Sequence, residues 1–393
     1  MLPFSASDAP PIAADEILIR QQRARDRAVE RELAALLVVG RSFYDRPGDL
    51  AYLTNHFPPF PTTVFSARNR GMGHAFFLLP VDGQPTLLTD PRKHRADLVA
   101  VANVQAAADL GQAVIDLLRE EGLANARVGL VGDDIMPAAF DRQIRTDLPD
   151  LTLEPVSDLI AGLRRIKSPA ELALLRRAAL CADAGLFAAA GVIARSGTTE
   201  REVGAAGTAA ALLAGADFVR YFRVHSGPWS AVGSRWPQAM DRVIEPGEVV
   251  VLDAVGACNG YAFDVNRTIV KGAPDAETRA ALDLVDQATV AATAACVAGA
   301  RTGDIVMAAR AVLAGTPWET NLGGMMGHGI GLETVEEPYI TADENAPLEA
   351  AMTLCVEPGI SVPGQFGATI EQEIIINPVG PPEIISPTPT RFW

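Results

Sequence analysis

The sequence predicts an α/β domain over residues 1–163, followed by an α+β domain over residues 164–393 whose sheet is largely antiparallel. Three observations lead to this fold class. A chain of 393 residues is too long for one ordinary hydrophobic core, so two domains are expected. Strand-like and helix-like segments alternate in the first part, as in α/β domains. After the segment RRIKSPAELALLRRAA the pattern changes to pairs of helices followed by groups of short strands.

The elements of the first domain are predicted from its apolar runs. Residues 14–40 indicate a helix that leads into the strand ALLVVG. The segment AFFLLPVDGQPTLLTD has two apolar runs on either side of an Asp-Gly pair, as in a β-hairpin. Further along, AVIDLLREEGL predicts an amphipathic helix and ARVGLVGDD predicts a buried strand. The segment LEPVSDLIAGLRRI is predicted to close the domain.

The second domain begins at a helix start signal. Ser168 precedes Pro169, and Glu171 follows three residues after the serine, which predicts a capping box with proline in the first turn. Helices are predicted over residues 169–195, 199–213, 276–298 and 303–314. Strands are predicted over residues 219–226 and 248–271, and near residues 333–340, 352–357 and 368–377.

Composition argues against several classes of protein. A net charge of −15 without a stripe of Lys and Arg argues against a nucleic-acid partner. The N-terminal segment MLPFSASDAPPIAADE lacks the basic and apolar regions of a signal peptide, and no apolar tract predicts a membrane span. The four cysteines are scattered and show no CxxC spacing, which indicates free thiols in a reducing cytoplasm.

A predicted hairpin carries the first candidate site residues. In EPGEVVVLDAVGACNGYAFDVNRTIVKG, two β runs flank an Asn-Gly turn, and Asp253 and Asp264 lie one on each run. A two-residue turn places both carboxylates on the same face, either directly opposite or diagonally offset. Like charges at this separation repel and raise each other's pKa, and a bound cation removes that cost.

Three further candidate residues follow in the last strands. His328 stands among glycines in GMMGHGIGLETVEEPY, which predicts an exposed, tightly bending backbone. Glu357 and Glu371 lie on two β runs joined by a loop rich in Gly and Pro. Each of these residues has an ordinary structural explanation, such as a solvated turn or a strand end. If the sheet brings all five together, they are enough for two divalent ions that activate water.

Four segments resemble the successive signatures of the creatinase/prolidase/aminopeptidase P superfamily: DAVGACNGYAFDVNRT, GHGIGLETVEEP, CVEPGI and GATIEQE. The resemblance covers roughly residues 160–377 and implies a C-terminal pita-bread domain with a curved sheet, after a creatinase-like N-terminal domain. It implies that the metal ligands are Asp253, Asp264, His328, Glu357 and Glu371. The ions would be two Mn²⁺, with Zn²⁺, Co²⁺ or Fe²⁺ as alternatives, and the chain would form a homodimer.

The resemblance also implies roles around the metal ligands. Glu357 would move a proton between the attacking water and the leaving nitrogen. Tyr261 and Arg267 match family positions and would support the ligands from outside the coordination sphere.

The chain departs from the family pattern at positions that concern the substrate. Val335 stands where dipeptidase-like members have a second histidine, and Thr369 stands where they have an arginine. The family's third histidine falls on Ser234 or Arg235. These groups handle the scissile carbonyl and the substrate carboxylate in prolidase-like enzymes. We therefore expect an intact metal site with altered substrate recognition, in which Val335 and Thr369 line the substrate site.

Nearby residues are candidates to replace the missing groups. His225 precedes a Ser-Gly pair and would donate a hydrogen bond to the substrate oxygen. Arg235 or Arg223 would bind an anionic group, beside Trp229. The structural alternative is a buried strand histidine, a tryptophan in a core or dimer contact and arginines in surface ion pairs.

The leading functional hypothesis is a dinuclear metal-dependent hydrolase that cleaves the C–N bond of a small amide or dipeptide-like compound, similar to an Xaa-Pro dipeptidase. One alternative uses the same metal site on a non-peptide metabolite, as a carbon–sulfur lyase or a creatinase-like hydrolase. A second alternative is a non-catalytic binding protein.

Overall fold

The computed structural model describes residues 12–61, 63–92, 94–233 and 235–393. The described chain divides into two compact units, residues 12–164 and residues 165–393. Ser234 lies outside the described residues; it is one of the two residues predicted at the family's third histidine position. The first eleven residues of the N-terminal segment MLPFSASDAPPIAADE also lie outside them. No helix within the described ranges is long and apolar enough to cross a membrane.

The first unit contains a six-stranded mixed sheet with helices. Its strands are β1 (Ala35–Arg41), β2 (His74–Pro80), β3 (Thr86–Thr89), β4 (Asn103–Ala106), β5 (Arg127–Val131) and β6 (Thr152–Pro155), in the order β4-β3-β2-β1-β5-β6. Its helices are α1 (Ala14–Glu30), α2 (Gly48–Thr54), α3 (Leu110–Glu120), α4 (Ala138–Asp147) and α5 (Ser157–Arg165). β2 and β3 pair antiparallel, as the Asp-Gly turn predicted, and the α/β class is confirmed.

Four long helices of the second unit are α6 (Pro169–Ile193), α7 (Glu200–Leu213), α8 (Ala276–Ala294) and α9 (Thr302–Leu313). The predicted capping box opens α6. The Glu171 N–H donates to Ser168 Oγ at 3.2 Å, and the Ser168 N–H donates to Glu171 Oε2 at 2.9 Å. The apolar faces of α6 and α7 pack on one sheet, and those of α8 and α9 pack on another.

The strands of the second unit form three antiparallel groups. The first is β7 (Phe218–Ser226), β8 (Val249–Cys258) and β9 (Tyr261–Val270). The second has the order β11-β10-β12-β15-β16, from β10 (Met325–Gly329), β11 (Glu336–Thr341), β12 (Thr353–Val356), β15 (Gln372–Ile375) and β16 (Glu383–Ile384). The third is the hairpin of β13 (Gly359–Val362) and β14 (Phe366–Thr369). The α+β class with a largely antiparallel sheet is confirmed.

The expectation that His328 lies in an exposed, bending segment is wrong. His328 lies within the short strand β10, pairs with Cys355 on one side and Tyr339 on the other, and is buried. Glycine has low β propensity, so the run MMGHG does not indicate a strand. The close packing of β10 against β12 nevertheless requires glycine at this point. A Cβ on Gly327, whose φ is +142°, would lie 2.0 Å from the Cys355 carbonyl oxygen.

Candidate metal centre

The β8–β9 hairpin positions the two aspartates. Asn259 and Gly260 form its two-residue turn with φ values of 53° and 79°, as a tight hairpin turn requires. The resulting register pairs Asp253 with Asn266 and Asp264 with Val255. The two aspartates are therefore diagonally offset on one face, and the prediction that they share a face is confirmed.

The second sheet adds the other three predicted ligands. His328 Nε2 lies 3.8 Å from Asp264 Oδ2 and 3.7 Å from Glu357 Oε1. One carboxylate oxygen each of Asp253, Asp264 and Glu371 lies within 4.8 Å of the others. Glu357 directly follows β12 and Glu371 directly precedes β15, and these two strands pair with each other. The fold thus brings all five residues into one cluster.

Two hydrogen bonds join β9 to the segment that carries Glu371. The Glu371 N–H donates to the Asn266 carbonyl oxygen at 3.1 Å. The Asp264 N–H donates to Glu373 Oε1 at 2.6 Å. Glu373 is fully buried, and its carboxylate holds the backbone at Asp264. These contacts keep two predicted ligands from different sheets in register with each other.

The hydrogen bonding of His328 suits it to bind a cation through Nε2. Its Nδ1 lies 2.9 Å from the Gly329 carbonyl oxygen, which can only accept a hydrogen bond. Burial lowers the pKa of His328, so the ring is neutral. A neutral ring that donates from Nδ1 has its lone pair on Nε2, and this atom faces the carboxylates of Asp264 and Glu357.

Burial and mutual repulsion disfavour the ionised form of the carboxylates. The pKa values of Asp264 and Glu371 are raised well above their usual range, by burial first and then by the neighbouring carboxylates. Burial also raises the pKa of Asp253. Burial and the charge of Asp253 raise the pKa of Glu357 to about 8. Protons or cations must offset this accumulation of negative charge.

The donor set fits divalent cations. Asp253 Oδ1 and Glu371 Oε1 are buried and have no hydrogen-bond partner in the described part of the chain. Buried carboxylate oxygens without partners are costly unless a cation binds them. Four carboxylates and one imidazole form an oxygen-rich site of the kind that hard or borderline divalent ions prefer.

Strand β7 brings three side chains to the same face as Asp253. Arg223 lies opposite Asp253 in the β7–β8 register, and its Nη1 is 3.1 Å from Asp253 Oδ2. Tyr221 lowers the pKa of Asp253, and burial raises the pKa of its own hydroxyl. Tyr221 was not predicted from the sequence, although its position two residues before Arg223 and four before His225 is a usable signal.

His225 is buried on this face, opposite Val251. Burial and the charges of Arg235 and Arg223 lower its pKa to about 3, so the ring is neutral. The backbone of Val232 offsets part of this decrease in the pKa of His225. Its Nε2 has no partner among the described residues.

Arg235 is held in a buried ion pair. Its Nη2 donates to Glu200 Oε2 at 2.6 Å and to the Val224 carbonyl oxygen at 2.8 Å. Its guanidinium also lies 5.8 Å from the ring centre of Trp229, which is about half exposed on the short turn after β7. The Arg235 charge is therefore paired with Glu200 within the fold.

The other predicted site residues differ in exposure: Val335 and Thr369 are exposed or half-buried, whereas Tyr261 and Arg267 are buried. Val335 is exposed just before β11. Thr369 ends β14, and its N–H donates to Thr268 Oγ1 at 3.0 Å. The hydroxyl of Tyr261 donates to Glu171 Oε1 at 3.0 Å. Arg267 is fully buried and donates to the backbone carbonyl of Glu371, so it contacts the segment that carries a predicted ligand.

A cysteine also lies in the cluster. Cys355 stands between His328 and Glu373 in the sheet register, and its Sγ donates to the Asp264 carbonyl oxygen at 3.7 Å. All four cysteines are free and buried.

A cluster of four carboxylates, three of them buried, and one neutral imidazole is the arrangement expected of a metal-dependent hydrolase site. The chain belongs to metallopeptidase family M24. The profile of that family matches residues 173–378, and the profile of the creatinase/prolidase N-terminal domain matches residues 20–166. The resemblance to the creatinase/prolidase/aminopeptidase P superfamily is thus confirmed.

Individual relatives agree with this assignment. The chain is 31% identical over 312 residues to a probable dipeptidase PepE of Mycobacterium tuberculosis, which covers 77% of this chain and 81% of the relative. The prolidase of Pyrococcus horikoshii OT3 superposes with a TM-score of 0.82 at 22% identity, covering 95% of this chain and 100% of that one. An Xaa-Pro dipeptidase from Bacillus anthracis superposes with a TM-score of 0.81 at 26% identity, covering 95% and 99%. The pita-bread fold is therefore confirmed.

Proposed function

We propose that this M24 metallohydrolase cleaves the C–N bond of a small, dipeptide-like substrate, and that it recognises the substrate differently from a strict Xaa-Pro dipeptidase. The convergence of Asp253, Asp264, His328, Glu357 and Glu371 carries the proposal, because such a site suits the activation of water. The residues at positions 335 and 369 support the altered recognition, since valine and threonine cannot bind a carboxylate as histidine and arginine do.

The five residues would hold two divalent ions. Mn²⁺ is our first choice because four of the five ligands are carboxylates, with Zn²⁺, Co²⁺ or Fe²⁺ as alternatives. When bound, such ions polarise the scissile carbonyl and activate water. His328 would bind through Nε2, because its Nδ1 is occupied by the Gly329 carbonyl oxygen.

Glu357 is proposed to move the proton. Its side chain is 24% exposed, against 3% for His328, so it stands at the accessible edge of the cluster. A carboxylate at this edge can accept a proton from the attacking water and deliver it to the leaving nitrogen.

His225 is proposed to hydrogen-bond the substrate oxygen. Its neutral ring lies on the same strand face as Asp253, and its Nε2 has no partner among the described residues. Nε2 donates to the substrate oxygen in the tautomer that carries the proton on Nε2, in which Nδ1 does not donate to the Val232 backbone. A His225→Ala variant should keep its metal and lose turnover. Normal turnover with intact metal content would refute this role.

A second candidate function uses the same metal site on a non-peptide metabolite, as a carbon–sulfur lyase or a creatinase-like hydrolase. The loss of the dipeptide-reading groups at Val335 and Thr369 favours it. The retention of all five ligand types argues against a non-catalytic binding protein, because unused clustered carboxylates would only destabilise the fold.

One assay separates these functions. The Mn²⁺-loaded protein is tested on Xaa-Pro dipeptides, other dipeptides, zwitterionic amides, betaines and thioethers, with Asp264→Asn as the inactive control. Turnover of a dipeptide by the wild type but not by Asp264→Asn supports the proposal. Failure on every dipeptide, with turnover of one metabolite, would overturn it.

The assembly and location of the chain are also proposals. A homodimer follows from the family resemblance and is tested by light scattering. A cytoplasmic location is supported by four free cysteines, which suit a reducing compartment. The net charge of −15 argues against nucleic acid as a partner.

A further inference from the structure

We propose that Arg223 binds an anionic group of the substrate next to the scissile bond, so that the substrate is a dipeptide-like compound with a free carboxylate. This inference rests on the proposed function. It assigns the recognition of charge to strand β7, where Arg223 lies beside a predicted metal ligand.

The position of Arg223 suits this role. Its Nη1 lies 3.1 Å from Asp253 Oδ2. The guanidinium is therefore next to the proposed metal site, beside which the scissile bond must be placed. In a dipeptide, the terminal carboxylate carbon is two bonds, or about 2.5 Å, from the scissile nitrogen. A group that reaches Asp253 can thus also reach this carboxylate.

Arg223 is held in place and retains hydrogen-bonding capacity. Its Nε donates to Gln238 Oε1 at 3.1 Å, and its guanidinium stacks over the Tyr221 ring at 4.9 Å. The contacts to Gln238 and Asp253 use two of the five N–H donors of a guanidinium. A fifth of the side chain, 20%, is exposed to solvent. An oriented, partly exposed fork of this kind suits bidentate binding of a carboxylate.

Two other arginines of the second unit are engaged elsewhere. Arg235 is buried against Glu200. Arg267 is fully buried and donates to backbone carbonyl oxygens, including that of Thr388. Partial exposure and contact with the side-chain carboxylate of a predicted ligand thus distinguish Arg223 from both.

An open groove adjoins the residues that hold Arg223. The groove has a volume of about 720 Å³ and lies between α7 and β7, and Tyr221, Gln238 and the exposed ring of Trp236 are part of its wall. Tyr221 and Gln238 thus contact both Arg223 and this groove.

The test compares a dipeptide with its C-terminal amide on the Mn²⁺-loaded wild type and on Arg223→Gln, Arg223→Lys and Arg220→Gln. Arg220 is an exposed arginine on the same strand and serves as the matched control. We expect the wild type to prefer the free acid. Arg223→Gln should raise KM for the acid by about 10- to 100-fold, as for loss of a charge-assisted hydrogen bond. Any effect through the ion pair with Asp253 should change the acid and the amide alike, so the ratio of kcat/KM for the acid to kcat/KM for the amide should fall in Arg223→Gln. Arg223→Lys should be intermediate and Arg220→Gln should match the wild type.

The outcomes distinguish this inference from the proposed function. Equal wild-type rates on the acid and the amide would refute anion binding while the hydrolase function stands. An equal loss on both substrates, with reduced metal content in Arg223→Gln, would show that Arg223 serves only as the partner of Asp253. If no dipeptide is cleaved, the proposed function fails, and calorimetric titration with L-proline and L-prolinamide decides on Arg223. Binding of proline by the wild type but not by Arg223→Gln supports anion binding, and no binding by the wild type overturns it.

Discussion

The metal-free protein should lose stability as the pH rises, and divalent ions should reverse that loss. In the folded metal-free chain, burial and Asp253 raise the pKa of Glu357 from its ordinary value of 4.5 to about 8. The unfolded chain has no such burial. Between pH 4.5 and about 8 the folded state therefore binds more protons than the unfolded state, and the free energy of unfolding falls with rising pH.

The size of the effect follows from that difference in pKa. Taken alone, Glu357 contributes a decrease on the order of 5 kcal/mol across this range. For a unit of this size, the decrease corresponds to a fall in Tm of roughly 10 °C or more. The raised pKa values of Asp264 and Glu371 act in the same direction. Cations that bind the carboxylates compete with protons, so the stabilisation by metal should be larger at pH 8 than at pH 5.5.

The assay is thermal unfolding of chelator-treated protein from pH 5 to pH 9, with and without Mn²⁺. Glu357→Gln is the matched variant, because the amide removes one charge at nearly constant shape, and its metal-free form should show a shallower decrease in Tm with pH. A metal-free wild type whose Tm is constant from pH 5 to pH 8 would refute the reasoning.

Three substitutions give further predictions. Glu357→Gln should lower kcat by about 10²- to 10⁴-fold, as for loss of a proton-transfer group, and steady-state kinetics at equal metal content check this. Arg267→Met should lower the free energy of unfolding by about 3 to 5 kcal/mol in urea titrations, because buried carbonyl groups lose their donor; an unchanged midpoint would contradict it. Gly327→Ala should reduce metal content, because the added Cβ would collide with the Cys355 carbonyl oxygen, whereas Gly324→Ala has open space and should bind normally.

Local rules predicted part of the site well. The turn at Asn259 and Gly260 determines the register of the hairpin, so the shared face of Asp253 and Asp264 follows from short-range chemistry. The capping box at Ser168 similarly identifies the start of α6.

Contacts between distant segments were beyond these rules. The strand around His328 was missed because its glycines serve close packing against β12, a constraint that arises only in the assembled sheet. Which of Arg223 and Arg235 is available to bind an anionic group depends on Glu200, which lies on α7 and pairs with Arg235. The hydrogen bond from the Asp264 N–H to Glu373 joins strands of different sheets, and no spacing in the sequence indicates it.

The metal content of the dialysed, Mn²⁺-loaded protein tests the central claim most directly. Elemental analysis should find two divalent ions per chain in the wild type and a clear loss in His328→Ala and Asp264→Asn, while Asp343→Asn, an exposed control outside the cluster, should match the wild type. A wild type without stoichiometric metal, or an Asp264→Asn variant that keeps both ions, would contradict the assignment of this cluster as the metal centre.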